Sequence, residues 1–196
     1  MHRFCELQPG MHEYCNIVSR VIPYNHSMLS IELLQLLKEH TQFYNSHLHG
    51  FVHWKAVERN GHYLADINGA DKPVITHFSF FHDCMRVNED DDPEHGPRAA
   101  AFIKEHRDLL DLSDDQYKQL HTAVSGHTHG RRSPDITIAT CWDADRLDLG
   151  RVGISPRSEL LLTPEAKRIA DEKDLAVLGI HPRAGFKEKF YPREAK

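Results

Sequence analysis

Histidine is the residue type that most strongly suggests chemistry in this sequence. Sixteen of the 196 residues are histidines, and many of them fall in short groups that read HLHGFVHW, FFHD, PEHGPR and GHTHG. Imidazole is the commonest metal ligand in proteins and the side chain that titrates closest to neutral pH. The histidine content therefore raises the expectation of metal chemistry.

The strongest candidate ligands are His53, the adjacent pair His82-Asp83, and Asp145 in CWDADRLD. Two imidazoles and two carboxylates suit Mn²⁺, Fe²⁺, Ni²⁺, Co²⁺ or Mg²⁺ better than a structural zinc, which favours thiolates. Neighbouring residues on a helix point about 100° apart, so His82 and Asp83 share an ion only beyond the helix edge. The residues alone leave Asp143 open, either as the ligand itself or as a carboxylate that orients a ligating histidine.

Helical periodicity recurs along the first half of the chain. Ser30 is predicted to cap a helix over SIELLQLLKEHTQFY, with an apolar stripe through Ile31, Leu34 and Leu37. A second helix is predicted from HGFVHW, with Asn60-Gly61 as its stop signal. The apolar run KPVITHFSFFHD is interpreted as a buried helix rather than a strand.

The second half of the chain carries further helix signals. PRAAAFIKEHRDLL, DDQYKQLHTAVSG, ITIATCWDADRLDLG and TPEAKRIADEK are predicted helices, and Gly150 is expected to close the third of them. Their start signals are Pro97, a capping box of Ser113 and Gln116, Ser133 or Asp135, and Thr163-Pro164. Six or seven helices with short connections predict an all-α bundle.

Length and charge limit the classes of function. The 196 residues suit one domain, with a core at about 27–165 and peripheral segments at 1–26 and 180–196. The net charge of −5 disfavours a nucleic-acid polymer or an anionic membrane as partner. An anionic substrate must therefore be held by a local cluster of cations or by a metal.

Cysteine usage and hydropathy bear on location. The four cysteines, at 5, 15, 84 and 141, form no C-x-x-C pair and resemble no disulfide framework. No stretch approaches the roughly 20 apolar residues of a membrane span. We expect reduced thiols and a cytoplasmic protein.

The order of His53, His82-Asp83 and Asp145 resembles the H…HD…D signature of the HD-domain metal-dependent phosphohydrolases, in their small stand-alone form. The resemblance covers residues 30–160 and implies an HD-domain-like helical bundle with a metal bound by these four residues. The Ala-Asp-Arg-Leu context selects Asp145 over Asp143. The implied activity is hydrolysis of a phosphoric ester or anhydride, in a nucleotide or another small phosphorylated metabolite, by a metal-activated water.

The same resemblance extends to further residues. Some HD-domain hydrolases carry extra histidines after the HD pair and before the last aspartate, and some of these hold a second metal. His95 and His127 are therefore candidate catalytic residues together with Asp83, and the metal count is one or two. Arg98 and Arg146 are candidates for binding substrate phosphate, because the guanidinium fork matches phosphate oxygens.

Two histidines are interpreted as ordinary. His49 lies one helical turn before His53 and is read as a polar residue ahead of the helix, and His129 as an exposed loop residue. Two other functions stay open. One is a di-iron oxygenase of the HD type, and the other is a non-catalytic, metal-bound protein that binds a ligand.

Overall fold

The computed structural model describes residues 29–179, so the predicted terminal segments at 1–26 and 180–196 lie outside the described residues. Within residues 29–179 the chain forms seven α-helices and no strand, which confirms the all-α prediction. The helices are α1 (Ile31–His40), α2 (Phe51–Asn68), α3 (Lys72–Phe81), α4 (His95–Glu105), α5 (Asp114–Gly126), α6 (Ile136–Arg146) and α7 (Pro164–Glu172). Short 3-10 segments occupy Arg107–Leu109, Leu149–Val152, Ser158–Leu160 and Leu175–Leu178. None of the helices in this range has the length and apolar character to cross a membrane.

Most helix starts follow their sequence signals. The Ser30 hydroxyl accepts a hydrogen bond from Leu33 N at 3.2 Å and begins α1. Ser113 and Gln116 form the predicted capping box of α5, because each side chain accepts from the other residue's backbone N–H. Asp135, rather than Ser133, caps α6. These side chains satisfy N–H groups that have no partner within the helix.

Two helix ends differ from the prediction. Helix α2 does not stop at Asn60-Gly61 but continues to Asn68, where Gly69 ends it with a φ of 76°. Helix α6 ends at Arg146, ahead of Gly150. Gly61 instead serves packing, because a Cβ there would lie 2.4 Å from Ile75 Cγ2 on α3 and 3.4 Å from Ala144 Cβ on α6.

Helix α2 is central to the packing and contacts both α3 and α6. The fully buried Asn60 donates from Nδ2 to Ala144 O at 3.1 Å and ties α2 to α6. Helix α5 contacts both α3 and α6, and α4 packs against α5. A smaller apolar cluster that includes Leu64, Leu147 and Ile169 joins α7 to α2 and to the end of α6. Close packing of α2, α3 and α6 brings the start of α2 beside the ends of the other two.

We predict that Gly61→Ala destabilises the protein by about 1–3 kcal/mol, because the added methyl group overpacks the crossing with Ile75. Alanine is the better helix former by about 1 kcal/mol. A decrease in the free energy of unfolding would therefore indicate overpacking, and an increase would indicate helix propensity. Urea unfolding monitored by circular dichroism measures the difference. In an Ile75→Ala background the penalty of Gly61→Ala should shrink. A more stable Gly61→Ala protein would contradict this account of the glycine.

Candidate metal centre

Three helix ends bring the four predicted ligands together. His53 lies in the first turn of α2, His82 caps the end of α3, and Asp145 is the penultimate residue of α6. The His53 and His82 side chains are fully buried, and that of Asp83 is 4% exposed. Because α3 ends at Phe81, His82 caps the helix and Asp83 lies in the turn that follows. Both members of the pair can therefore face one point.

The distances from the His53 and His82 Nε2 atoms to the other donor atoms lie within or slightly above the spacing of ligands around one ion. His53 Nε2 lies 3.1 Å from His82 Nε2 and 3.3 Å from Asp145 Oδ1. Asp83 Oδ2 lies 3.5 Å from His82 Nε2 and 3.7 Å from His53 Nε2. Ligands bound at about 2.1 Å to one ion lie about 3.0 to 3.4 Å apart in octahedral or tetrahedral geometry. We name His53, His82, Asp83 and Asp145 the first group.

Hydrogen bonds at the far side of each ring orient the two histidines. His53 Nδ1 donates to Asp148 Oδ2 at 2.8 Å, and His82 Nδ1 donates to Ser79 O at 3.0 Å. With the proton on Nδ1, each Nε2 presents a lone pair toward the other. Two lone pairs 3.1 Å apart repel each other unless a metal cation or a shared proton lies between them. A carboxylate or carbonyl on Nδ1 is also the usual support of a metal-binding histidine.

Asp145 provides an independent test of whether a cation fits. Its Oδ1 is buried and has no hydrogen-bond partner among the described residues. His53 Nε2 lies 3.3 Å from this oxygen, but the Nδ1 proton of His53 is engaged by Asp148. Leaving a buried carboxylate oxygen unpaired is unfavourable. A divalent cation among these four side chains would satisfy it, so the donor set fits a metal ion.

The titration behaviour reflects the same juxtaposition of charges. Burial alone would lower the pKa of His53, but the carboxylates of Asp145 and Asp148 outweigh burial and raise that pKa. Burial opposes ionisation of Asp145, yet His53 and Arg151 help to hold its pKa below the ordinary range. The site thus favours negative charge on the carboxylates and positive charge between them.

A second group of potential ligands shares Asp83. Asp83 Oδ1 lies 3.1 Å from His95 Nε2 and 3.7 Å from His127 Nε2, and these two nitrogens are 2.7 Å apart. His95 Nδ1 donates to Asp92 O, and His127 Nδ1 donates to Val124 O at 2.8 Å. We name Asp83, His95 and His127 the second group. Its geometry suits a second cation or a shared proton, and the Asp83 carboxylate bridges the two groups.

The structure separates the two adjacent aspartates of α6. The buried Asp143 carboxylate accepts hydrogen bonds from Leu162 N, Thr163 N and the Thr163 hydroxyl at 2.6–3.0 Å. Burial raises its pKa despite these bonds. Asp143 therefore fixes the segment ahead of α7, while Asp145 faces the first group. The carboxylate that orients His53 is Asp148, which sequence reasoning did not identify.

A cavity of about 440 Å³ opens over both groups. It is lined by Asp83 and Asp145, by His95 and His127 of the second group, and by His49. Five arginines also line it: Arg86, Arg131, Arg146, Arg151 and Arg157. The cavity is therefore rich in cationic donors although the whole chain carries a charge of −5.

The two predicted substrate-binding arginines differ in position. Arg146 lines the cavity, but its guanidinium donates to Leu160 O at 3.1 Å and to Gly130 O. Arg98 is not among the lining residues. It donates to Met85 O at 3.1 Å and forms a two-pronged contact with Asp92 at 2.6 and 2.7 Å. Arg98 thus fixes the loop after Asp83, and its predicted role in substrate binding does not agree with this position.

Arg86 and Arg151 are the arginines that lie nearest the carboxylates of the site. Arg86 Nη1 is 3.6 Å from Asp83 Oδ1, and Arg151 Nη2 is 3.8 Å from Asp145 Oδ1. The position of Arg86 three residues after Asp83 in the sequence could have indicated that it lies near the site. Arg151 carried no such signal, because its position depends on the 3-10 segment Leu149–Val152.

Comparisons with known proteins bear on the fold. No family model matches the sequence, and no curated protein matches it. The structure is similar to the crystal structure of a predicted HD superfamily hydrolase from an uncultured Thermotogales bacterium, with a TM-score of 0.59. The match covers 84% of this chain and 93% of that one, at 20% sequence identity. The chain has the HD-domain fold. Its buried histidine and aspartate groups are consistent with an HD-type metal site.

Within this HD-domain fold, we predict that Asp145→Asn and Asp143→Asn separate metal binding from stability. Asp145→Asn should weaken metal affinity about tenfold or more, because a charged ligand is lost. Asp143→Asn should keep the metal but lose about 1–3 kcal/mol of stability, because a buried carboxylate that accepts three donors is replaced. Metal content after dialysis and urea unfolding measure the two effects. If Asp143→Asn lost the metal and Asp145→Asn lost only stability, Asp143 would be the ligand.

Proposed function

We propose that the protein is a metal-dependent phosphohydrolase that acts on a nucleotide or another small phosphorylated metabolite through a metal-activated water. The observation that carries the proposal is the first group, in which five of the six donor-atom pairs lie 3.1–3.8 Å apart and whose two aspartates line an arginine-rich cavity. The structural relative described as a predicted HD superfamily hydrolase supports hydrolysis as the reaction class.

The charge of the cavity favours an anionic substrate. The five lining arginines outnumber the two lining aspartates, Asp83 and Asp145, both of which belong to the first group. A bound cation would offset those carboxylates and leave an excess of guanidinium groups. Guanidinium donors match phosphate oxygens in geometry, and a cationic cavity concentrates anions.

The chemistry divides between an ion and the side chains around it. A divalent ion in the first group would polarise a phosphoryl oxygen and lower the pKa of a bound water. Arg86 and Arg151, close to Asp83 and Asp145, can neutralise charge on the phosphoryl oxygens. His95 and His127 can hold a proton between Nε2 atoms 2.7 Å apart and deliver it to the leaving oxygen.

The dimensions of the cavity favour a small substrate. A volume of about 440 Å³ lies within the range of about 300–1,000 Å³ that small-molecule sites occupy. We therefore propose a metabolite-sized phosphoester rather than a nucleic-acid polymer. The cations that the first group suits remain Mn²⁺, Fe²⁺, Ni²⁺, Co²⁺ and Mg²⁺.

The two groups should differ in metal affinity. The first group offers two imidazoles and two carboxylates, whereas the second offers two imidazoles and the shared Asp83. The Arg86 guanidinium, 3.6 Å from Asp83 Oδ1 and 3.4 Å from His95 Nδ1, opposes a second cation electrostatically. We propose that the first group fills first and that the second binds metal more weakly.

A di-iron oxygenase is the second candidate function. The observation that favours it is the Asp83 carboxylate, which lies between a pair of histidines on each side. Two irons per chain, a visible chromophore in freshly purified protein and substrate-dependent oxygen consumption would support it. The excess of arginines in the cavity favours phosphoester hydrolysis instead.

Metal removal and reloading test the proposed function. We expect chelated protein to lose hydrolysis of phosphoesters and to regain it with Mn²⁺, Co²⁺, Ni²⁺ or Mg²⁺, in a phosphatase and pyrophosphatase screen over nucleotides. Asp83→Ala should lose metal and activity together, because this residue contributes to both groups. Wild-type turnover by Asp83→Ala would refute the proposed site. A metal-bound protein without turnover on any phosphoester would favour the non-catalytic, ligand-binding alternative.

The exposed arginines at and beside the cavity provide a matched pair of variants. Arg131 lines the cavity, whereas its neighbour Arg132 is also exposed but does not line it. We predict that Arg131→Gln raises KM for a phosphoester about three- to tenfold at low salt, and that Arg132→Gln leaves KM unchanged. The effect of Arg131→Gln should diminish as salt screens the charge. Equal effects of the two substitutions would indicate general attraction rather than a contact in the cavity.

A further inference from the structure

His49 lies in the cavity wall, and its main chain is held on both sides. Its backbone N–H donates to Ser46 Oγ at 3.2 Å, and its carbonyl accepts from Trp54 Nε1 at 2.9 Å. The following Gly50 is packed so closely that a Cβ would lie 2.4 Å from the carbonyl oxygens of Phe43 and Tyr44. The backbone at His49 is therefore fixed independently of its side chain.

The His49 side chain is buried, and one of its two ring nitrogens is unpaired within the described residues. The residue is 7% exposed, and Nδ1 is buried without a partner in the described part of the chain. Among residues 29–179, three buried side-chain atoms lack a partner, and two of them, in His49 and Asp145, belong to residues that line this cavity. A cation accounts for Asp145, but His49 is not part of either group. Unsatisfied buried groups in a folded protein call for a ligand, a water or a functional explanation.

Few of the other lining side chains can both donate and accept a hydrogen bond. The hydroxyls of Thr128 and Ser155 can, but Thr128 Oγ1 lies 3.4 Å from His95 Nε2 and Ser155 makes an interaction of its own. Arginines only donate, and the two aspartates belong to the first group. His95 and His127 use Nδ1 for the main chain and turn Nε2 toward Asp83. Phosphoryl oxygens accept hydrogen bonds and are suited to the arginines. An imidazole can both donate and accept, which matches a hydroxyl group.

We propose that His49 binds a hydroxyl group on the alcohol part of the substrate, and that the substrate is a polyhydroxylated phosphoester such as a sugar phosphate or a ribonucleotide. This inference rests on the proposed function and names the substrate class of the same cavity. His49 is thereby a specificity-determining residue, while the arginines bind the phosphoryl group.

The electrostatic surroundings support this assignment. Burial, with the charges of Arg86 and Arg151, lowers the pKa of His49 to about 4, although Asp83 opposes the shift. The imidazole is therefore neutral at pH 7 and retains an accepting nitrogen. A neutral ring beside two guanidinium groups is suited to an uncharged hydroxyl rather than to a second phosphate.

The test compares His49→Leu, which removes the hydrogen bond, with His49→Gln, which keeps a donor and an acceptor. His47→Leu is the matched control, because His47 is exposed and does not line the cavity. The metal-loaded full chain is assayed with ribose 5-phosphate, which has hydroxyl groups, and with butyl phosphate, which has none beyond its phosphate. Calorimetry with ribose 5-phosphate and with inorganic phosphate measures binding in parallel.

We expect the wild-type protein to prefer ribose 5-phosphate, and His49→Leu to reduce this preference in kcat/KM about tenfold, as loss of a buried hydrogen bond does. His49→Gln should restore part of the preference, and His47→Leu should match the wild type. Equal losses on both substrates would overturn the inference and assign His49 to a shared step, such as holding the attacking water. An unchanged preference in His49→Leu would also overturn it.

Binding distinguishes failure of the inference from failure of the proposed function. If no phosphoester is hydrolysed, the phosphohydrolase proposal fails. The inference about His49 then stands only if His49→Leu weakens binding of ribose 5-phosphate about tenfold and leaves binding of inorganic phosphate unchanged. If both ligands bind His49→Leu as they bind the wild type, the inference fails as well.

Discussion

The rest of the site depends on the contacts of the buried Asp83 carboxylate with histidines on both of its sides. Its two oxygens face opposite sides, with Oδ2 toward His53 and His82 and Oδ1 toward His95 and His127. Burial opposes its ionisation, but the surrounding imidazoles hold its pKa well below the ordinary range. A buried anion persists only where positive charge compensates it. The helices must therefore deliver imidazoles to both sides of a single carboxylate.

Helix ends satisfy this requirement because residues there are not restricted to one face of a helix, so neighbouring side chains can point toward the same site. His82 caps α3 and Asp83 follows it in a turn outside the helix, and Asp145 lies one residue before the end of α6. Their separation depends on the close crossing of α2 with α3 and α6, which the absence of a side chain at Gly61 permits. Packing in the middle of the bundle thus determines ligand distances at its end.

The sequence indicated those parts of the site that local patterns control. Ser30, the Ser113–Gln116 capping box and Asp135 mark helix starts through bonds within three residues, so these starts were predictable. The convergence of His53, the HD pair and Asp145 was predictable only through the resemblance to the H…HD…D signature, because no local pattern joins three separate helices. Asp148, Arg151 and the pairing of Arg98 with Asp92 were not predictable, because they depend on how irregular segments fold. The prediction of Gly61 as a stop signal was wrong. Its role at a helix crossing depends on residues of another helix, which the sequence around Gly61 does not reveal.

The distribution of charge links the fold to the class of substrate. Asp143 and Asp92 each bind a partner outside the first group, and Asp148 orients His53 from behind its ring, so these three carboxylates are already engaged. Arg146 donates hydrogen bonds to main-chain carbonyls, and its positive charge remains in the cavity wall. An acidic protein can in this way maintain a cationic cavity, because its carboxylates are bound elsewhere while its arginines keep their charge. A neutral His49 within that cavity then adds selectivity for the uncharged part of an anionic substrate.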